Sequence, residues 1–119
     1  MFPLRLMYSA EFGGSMDYKI CIAASIEDDL DIVTEYISQI LKNPTAAEHL
    51  LTKAEKTISE IAKYPFMFSF FPDEELAKKQ YRNALVGNYQ LIYRIEEDTQ
   101  TVYILRFQYA GRDFSALFD

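Results

Sequence analysis

Residues 81–107 read YRNALVGNYQLIYRIEEDTQTVYILRF, and apolar and polar side chains alternate along most of this stretch. A period of two residues is typical of β-strands. Turn-forming Gly87-Asn88 and the polar run at 97–100 interrupt the alternation. The stretch therefore predicts a meander of three antiparallel strands. On the third strand one face is expected to carry Tyr103, Leu105 and Phe107, and the other Val102, Ile104 and Arg106.

Two helical patterns precede the meander. Apolar residues recur three and four positions apart over 25–42 and again over 45–64, which is the spacing of an amphipathic helix. Asn43-Pro44 separates the two patterns, and the residue before a proline avoids the helical region. The sequence therefore predicts two helices joined by a short turn as an antiparallel hairpin.

The starts of both predicted helices carry capping signals. Ser25 is the expected N-cap of the first helix, and the acidic run at 27–29 suits the positive end of the helix dipole. Thr45 with Glu48 three residues later has the pattern of a capping box for the second helix. The dipole thus accounts for the acidic run without any catalytic carboxylate.

The segment before the first helix completes the fold. Residues 17–24 alternate like a strand, so the order of elements is β-α-α-β-β-β. The predicted fold class is α+β, with the helical hairpin packed on a small antiparallel sheet. Residues 1–16 carry Pro3, Gly13-Gly14 and a second methionine at Met16, and are expected to be a poorly ordered N-terminal extension to a domain at 17–119.

Length and composition limit the class of protein. A chain of 119 residues, half of them apolar and 15% aromatic, suits one folded domain and excludes intrinsic disorder. The single cysteine, Cys21, excludes a disulfide scaffold. No run approaches the roughly 20 apolar residues of a membrane helix, and no secretory signal is evident. A cytoplasmic location without a membrane partner is therefore expected.

The charge is unevenly distributed. The net charge is −6, which disfavours binding to nucleic acid through phosphate neutralisation. Up to Ala77 there are six lysines or arginines against thirteen acidic residues, whereas the remainder has six against five. The basic groups of the C-terminal part are therefore the ones expected to gather on a surface.

The sequence gives little support for a metal site or a cofactor site. One histidine, His49, and one cysteine cannot form a common zinc site. His49 falls on the polar side of the second helix, and neither a dinucleotide fingerprint nor a P-loop is present. We therefore expect neither a cofactor nor a metal.

Four arginines of the C-terminal part are the informative charges: Arg82, Arg94, Arg106 and Arg112. Arginine tolerates partial burial and forms forked bonds with carboxylates and phosphates. Arg106 interrupts an apolar strand and needs a partner, either Asp113 in a structural ion pair or a carboxylate of another protein. Arg112 follows the last strand in a loop, where binding residues are common.

The aromatic run at 65–71, PFMFSFF, has two interpretations. It can fill the core beneath the edge of the sheet, or it can form the wall of a groove for a partner's helix. The first interpretation is the more common outcome for such a run.

Three segments together resemble the RelE/ParE superfamily, the toxins of bacterial type II toxin–antitoxin systems. They are DYKICIAASIEDDLDIVTEYI, NPTAAEHLLTKAEKTISEIAKYP and YRNALVGNYQLIYRIEEDTQTVYILRFQYAGRDFSALF, and they cover residues 17–118. The linked order of NP-x-AA, YR-x-x-x-V-x-NY and V-x-I-L-R carries the resemblance. The fold that it implies is the same β-α-α-β-β-β arrangement.

The resemblance also separates the two branches of the superfamily. RelE-like members are ribosome-dependent mRNA endoribonucleases and carry an arginine where this chain has Gln90, and two lysines where it has Arg82 and Ala84. Their C-terminal tyrosine is matched by Phe118, which has no hydroxyl for proton transfer. Arg112 matches their basic loop residue. These positions favour the ParE-like branch, whose members poison DNA gyrase.

The resemblance thus implies a toxin that binds DNA gyrase and that a cognate antitoxin neutralises in a hetero-oligomer. The alternative is a ribosome-dependent mRNA endoribonuclease, with Arg82, Arg112 and Phe118 as candidate catalytic residues, and a further alternative is an inactive antitoxin-binding member. The antitoxin is expected to lie over the meander and hairpin near the aromatic run. The predicted antitoxin- or target-binding residues are Arg82, Arg94, Arg106, Tyr109, Arg112, Asp113 and Phe118.

Overall fold

The computed structural model describes residues 9–10, 18–71 and 74–110, with the side chains of Ser9, Ala10 and Leu76 left aside. The predicted β-α-α-β-β-β elements occur in that order, with an additional two-residue strand, a π-helical turn and a short third helix. They are β1 (Ser9–Ala10), β2 (Lys19–Ile22), α1 (Ala24–Glu35), a π-helical turn (Tyr36–Ile40), α2 (Pro44–Lys63), α3 (Glu74–Lys78), β3 (Arg82–Val86), β4 (Tyr89–Glu96) and β5 (Thr101–Tyr109).

The strands form one mixed sheet in the order β1-β2-β5-β4-β3. The predicted meander is confirmed, because β3 pairs antiparallel with β4 and β4 antiparallel with β5. The opening strand β2 lies beside β5 and runs parallel to it, with Lys19 opposite Thr101. The two-residue strand β1 adds an antiparallel edge to β2. The predicted α+β class is therefore confirmed, with a sheet that is mixed rather than wholly antiparallel.

The helical hairpin covers one face of the sheet and encloses the main core. Helix α2 contributes a continuous apolar stripe, and the sheet contributes alternate residues of β2, β4 and β5. The tyrosine Tyr93 is completely buried here, and its hydroxyl donates a 2.8 Å hydrogen bond to the carbonyl of Pro65. The fully or nearly buried members include Ile20, Ala54, Ile61, Ala62, Leu91, Val102, Ile104 and Phe107.

Helix α1 begins two residues earlier than predicted, and Ser25 is not its N-cap. Ala23 occupies that position, and its N–H donates to the carbonyl of Ile104 as though β2 continued. Ser25 lies within the helix, where its hydroxyl donates a 2.7 Å hydrogen bond to the carbonyl of Leu105. The edge of β5 beyond the end of β2 has a backbone carbonyl that β2 does not reach. The Ser25 hydroxyl bonds to this carbonyl instead of capping the helix.

The capping box predicted for α2 is also wrong. Asn43 is the N-cap, since its side-chain oxygen accepts a 3.1 Å hydrogen bond from the N–H of Ala46. Pro44 then occupies the first turn, where a missing N–H costs nothing. Asparagine is an even better N-cap than threonine, and this preference moves the start of the helix toward the proline.

The first helix changes character before its predicted end at Lys42. From Tyr36 to Ile40 the backbone widens into a π-helical turn, and Lys42 has a φ of +52° that ends the helical path. Turns of this kind are rare and concentrate at functional sites. The π-helical turn leaves both Ile40 and Leu41 exposed.

A β-bulge in β5 changes the face of the sheet on which some of its residues lie, compared with the prediction. Ile92 lies opposite Arg106, but the next residue, Tyr93, lies opposite Ile104, so Leu105 is the extra residue. The alternation therefore shifts, and Phe107 joins Ile104 in the core beneath the helices instead of sharing a face with Leu105.

The prediction for residues 1–16 stays a prediction. The structure describes only Ser9 and Ala10 of that range, and the remaining residues lie outside the described part. Within the described residues, no helix has the length and apolar character needed to span a membrane.

Candidate functional site

The aromatic run after α2 lies along the outer edge of β3. Phe70 forms an antiparallel bridge with Arg82, and the N–H of Asn83 donates to the carbonyl of Ser69 at 3.2 Å. Phe71 is buried against the sheet, whereas Phe66 and Phe70 remain about half exposed. Phe71 therefore fills the core, as the first interpretation predicts, whereas a groove wall formed by the exposed Phe66 and Phe70 stays a prediction.

Arg82 is held between the two exposed phenyl rings. Its guanidinium carbon lies 4.1 Å from the ring centre of Phe70 and 5.3 Å from that of Phe66. One terminal nitrogen donates a 2.6 Å hydrogen bond to the carbonyl of Phe68. Stacking and this bond fix the plane of the guanidinium, and the group has further N–H donors beyond the one used here.

A groove of about 420 Å³ opens beside this guanidinium. It arises because β3 starts at Arg82, opposite Tyr93, whereas β4 continues to Glu96. Arg94 reaches the same groove from β4. The other lining residues are Phe66, Phe70, Gln80, Ile95, Glu96, Glu97 and Asp98. The groove thus combines two guanidinium groups and two phenyl rings with an acidic rim, and we call it the Arg82 groove.

Arg94 is exposed and lies near two tyrosines. Burial raises the pKa of Tyr81, and the positive charge of Arg94 acts in the opposite direction. Burial likewise raises the pKa of Tyr103, and the nearby carboxylate of Glu96 raises it further. Arg94 therefore has both an acidic and two phenolic neighbours, and its exposed guanidinium is available to a partner.

Arg106 has a structural partner, Asp29, which neither of the two sequence-based alternatives named, and Asp113 lies outside the described residues. Its Nε and one terminal nitrogen each donate a 2.8 Å hydrogen bond to the two carboxylate oxygens of Asp29 on α1. The same carboxylate accepts bonds from the N–H of Phe107 at 2.9 Å and from the side chain of Gln108 at 3.1 Å. Asp29 is only 5% exposed. This forked ion pair joins α1 to β5.

The sequence did not lead us to predict an ion pair for Asp29, because the helix dipole already explained an acidic residue at that position. A signal was present in the spacing, since Asp29 lies three residues after Ile26 and four before Val33, on the buried side of α1. An acid in a buried stripe requires a cationic partner. Arg106 was the basic residue that needed an acidic partner, because it interrupts an apolar strand.

The three arginines that the structure describes do not share one surface. Arg82 and Arg94 share the groove, whereas Arg106 lies on β5 beyond the bulge and is bound to α1. Tyr109 is exposed near the end of β5, with its ring 5.9 Å from that of Tyr89. Three further candidates, Arg112, Asp113 and Phe118, lie outside the described residues.

Two of the positions that distinguish ribonucleases, Gln90 and Ala84, are buried in internal contacts. Gln90, which stands where RelE-like members have an arginine, is 4% exposed, and its side-chain oxygen accepts a 2.7 Å hydrogen bond from Asn83. Ala84 is completely buried. Neither position presents a charged group to a phosphate.

The candidate metal ligands are also scattered. Across residues 9–10, 18–71 and 74–110, no group of three histidine, cysteine or acidic side chains is arranged to hold a metal ion. His49 is exposed on α2. Burial raises the pKa of the Cys21 thiol, which lies in β2, so the thiol is less reactive than a free cysteine.

Two solved structures share this fold. A chain of the RelBE2 toxin–antitoxin complex of Mycobacterium tuberculosis superposes with a TM-score of 0.56 at 22% identity, over 79% of this chain and 99% of its own. A chain of the chromosomal ParDE system of P. aeruginosa does so with a TM-score of 0.61 at 14% identity, over 76% of this chain and 92% of its own. The fold is thus that of the RelE/ParE class.

The sequence identifies the branch within this class. The family model for the ParE toxin of type II toxin–antitoxin systems, parDE, matches residues 20–114. Because the match spans most of the chain, the chain belongs to the ParE toxin family, and the predicted membership in the RelE/ParE superfamily is confirmed. No curated protein matches the sequence significantly.

Proposed function

We propose that this chain inhibits growth by binding DNA gyrase and that a cognate antitoxin neutralises it by direct binding. Membership in the ParE family supports the first statement. The likeness to chains from two toxin–antitoxin structures supports the second. The observation that carries the choice of a binding protein over a nuclease is the Arg82 groove, whose arginine is fixed in place between exposed aromatic rings.

The Arg82 groove suits an acidic and apolar antitoxin segment. A carboxylate accepts two parallel bonds from a guanidinium, and the fixed plane of Arg82 reduces the entropy lost on binding. Arg94 supplies a second cation at the same groove, and the rings of Phe66 and Phe70 would cover apolar side chains of the segment.

Binding to the protein encoded by the adjacent gene tests this site. Isothermal titration calorimetry of the full chain should give a Kd that rises about tenfold or more in Arg82→Met, because a desolvated charge pair is lost. Arg82→Lys should recover only part of the affinity, since it keeps the charge but not the fork. Lys53→Met on exposed α2 is the matched control and should bind like the parent chain.

An unchanged Kd in Arg82→Met would contradict the assignment of the groove. An equal loss in Lys53→Met would indicate that only the net charge matters.

Expression of the chain without antitoxin tests the target. We expect growth arrest with gyrase-dependent DNA breaks, and purified gyrase should accumulate cleaved DNA when the chain is added. Growth arrest without such breaks would defeat the gyrase assignment. Harmless expression would instead favour an inactive antitoxin-binding member.

Mapping of message ends after induction tests the ribonuclease alternative in the same cells. RNA cleavage of this kind needs a base for the 2′-hydroxyl and positive charge at the scissile phosphate. We expect no new message ends. Cuts at the ribosomal A site that Arg112→Ala abolishes would overturn the choice of a binding mechanism.

A further inference from the structure

A second unpartnered surface lies on α1 and the π-helical turn. Ile32, Tyr36 and Ile40 are spaced four residues apart and therefore lie along one side of the helical segment. Their exposures are 67%, 49% and 66%. We call these three residues the α1 stripe.

The α1 stripe continues the side of α1 that contacts β5. Ser25 and Asp29, which bond to β5 at Leu105 and Phe107, lie seven residues before Ile32 and Tyr36, which places them on the same side of the helix. Burial and then the neighbouring hydroxyls of Tyr36 and Tyr109 raise the pKa of Tyr89, so these three tyrosines lie close together. Tyr109 is itself 56% exposed. Tyr36 of the stripe and Tyr109 of β5 therefore both lie near Tyr89.

The α1 stripe and the Arg82 groove lie at opposite ends of β4. Tyr89 starts the strand and Arg94 lies near its other end, so the two sites are about 17 Å apart at about 3.3 Å per residue. Exposed apolar patches of this kind mark interaction surfaces. The π-helical turn within the stripe is a second feature that concentrates at such surfaces.

The charge around the α1 stripe selects the partner. Helix α1 has no lysine or arginine, and its exposed charged residues are Glu27, Asp28, Asp31 and Glu35. Two copies of the chain would bring these acids together and repel each other. An acidic segment suited to the Arg82 groove would be repelled here as well.

We propose that the α1 stripe is a second protein-binding surface, and that its occupant is a basic amphipathic segment of a partner protein. Apolar side chains of the segment cover Ile32, Tyr36 and Ile40, and its lysines or arginines meet the acids of α1. The chain thus recognises opposite charges at its two ends. The assignment does not depend on gyrase or on the occupant of the Arg82 groove.

Two designed peptides of about 20 residues test the charge rule, one of leucine and lysine at helical spacing and one in which glutamate replaces lysine. Fluorescence anisotropy with the full chain at about 0.15 M salt should give a Kd at least about tenfold lower for the lysine peptide. Amide shifts of the ¹⁵N-labelled chain should concentrate at the α1 stripe and Tyr109.

Variants separate the stripe from non-specific attraction. The double variant Ile32→Gln/Ile40→Gln should weaken the lysine peptide about tenfold, and both sites are exposed enough to leave the fold intact. Asp28→Asn/Glu35→Gln should weaken it too and reduce its salt dependence. Leu85→Gln is the control, since this 63% exposed leucine lies on the edge strand β3.

Equal affinity for the two peptides would overturn the proposal. So would shifts spread over the whole surface, or an equal loss of affinity in Leu85→Gln. Concentration-dependent dimers in sedimentation that the double glutamine variant abolishes would assign the stripe to self-association instead.

Discussion

Replacing Asp29 by alanine removes the carboxylate that joins α1 to β5. The side chain is 4% exposed, and two of the four hydrogen bonds that it accepts come from Arg106, whose side chain is 22% exposed. The substitution leaves a guanidinium without its counter-charge and also removes the acceptor of the buried N–H of Phe107.

The cost follows from these contacts. Removing one partner of a buried ion pair destabilises a protein by about 3–5 kcal/mol, and an unsatisfied buried N–H alone costs about 1–3 kcal/mol. A domain of this kind has a free energy of unfolding of about 5–15 kcal/mol. We therefore expect Asp29→Ala to lose roughly a third or more of it. With an m-value of about 2 kcal/mol/M, urea unfolding followed by circular dichroism should show a midpoint lower by about 2 M.

Two control variants test whether the loss of stability comes from the ion pair. Asp31→Ala removes an exposed acid from the same helix and should change the free energy of unfolding by less than about 0.5 kcal/mol. Arg106→Met combined with Asp29→Ala should be less destabilised than the sum of the single variants, by about 1–3 kcal/mol. Strict additivity, or equal stability of the two alanine variants, would refute the assignment of Asp29 and Arg106 as a stabilising pair.

Three further predictions concern local features. Burial raises the pKa of Tyr93 to about 12, so folding favours the protonated phenol. Urea titrations should therefore show a free energy of unfolding that falls as the pH rises above 10. In Tyr93→Phe, the fall in the free energy of unfolding with pH should be smaller by up to about 1.4 kcal/mol per pH unit. Asn43→Ala should lower the melting temperature through the loss of about 1 kcal/mol of capping, whereas Thr45→Ala should leave it nearly unchanged. Gly87→Ala should cost about 1 kcal/mol in urea unfolding, because Gly87 has a φ of +62°.

Local patterns were sufficient to predict most of the elements. The meander, the hairpin and the break at Asn43-Pro44 depend on periodicity and turn chemistry within a few residues, and the structure has all of them. The parallel pairing of β2 with β5 joins residues about 80 positions apart. No local signal encodes that register, so the mixed character of the sheet became evident only from the structure.

Some residues of the candidate site were likewise predictable from local sequence, and others depend on tertiary packing. Arg82 and the aromatic run were identified from residue type, and they lie together because a bridge at Phe70 extends the sheet. The partner of Arg106 was not found from the sequence, because its pairing with Asp29 depends on how α1 packs against β5. The bulge at Leu105 shifts the alternation of β5, and one extra residue in a strand is invisible to a pattern with a fixed period.

The position of β5 between β2 and β4 has a consequence for synthesis on the ribosome. Ile20 and Ile22 leave the ribosome early, yet the strand that they pair with is made about 80 residues later. At about 5–20 residues per second, that interval lasts about 4–16 s. The nascent chain therefore lacks the completed sheet for most of its translation, and the tertiary structure that would make it harmful forms only when the strand Thr101–Tyr109 has emerged.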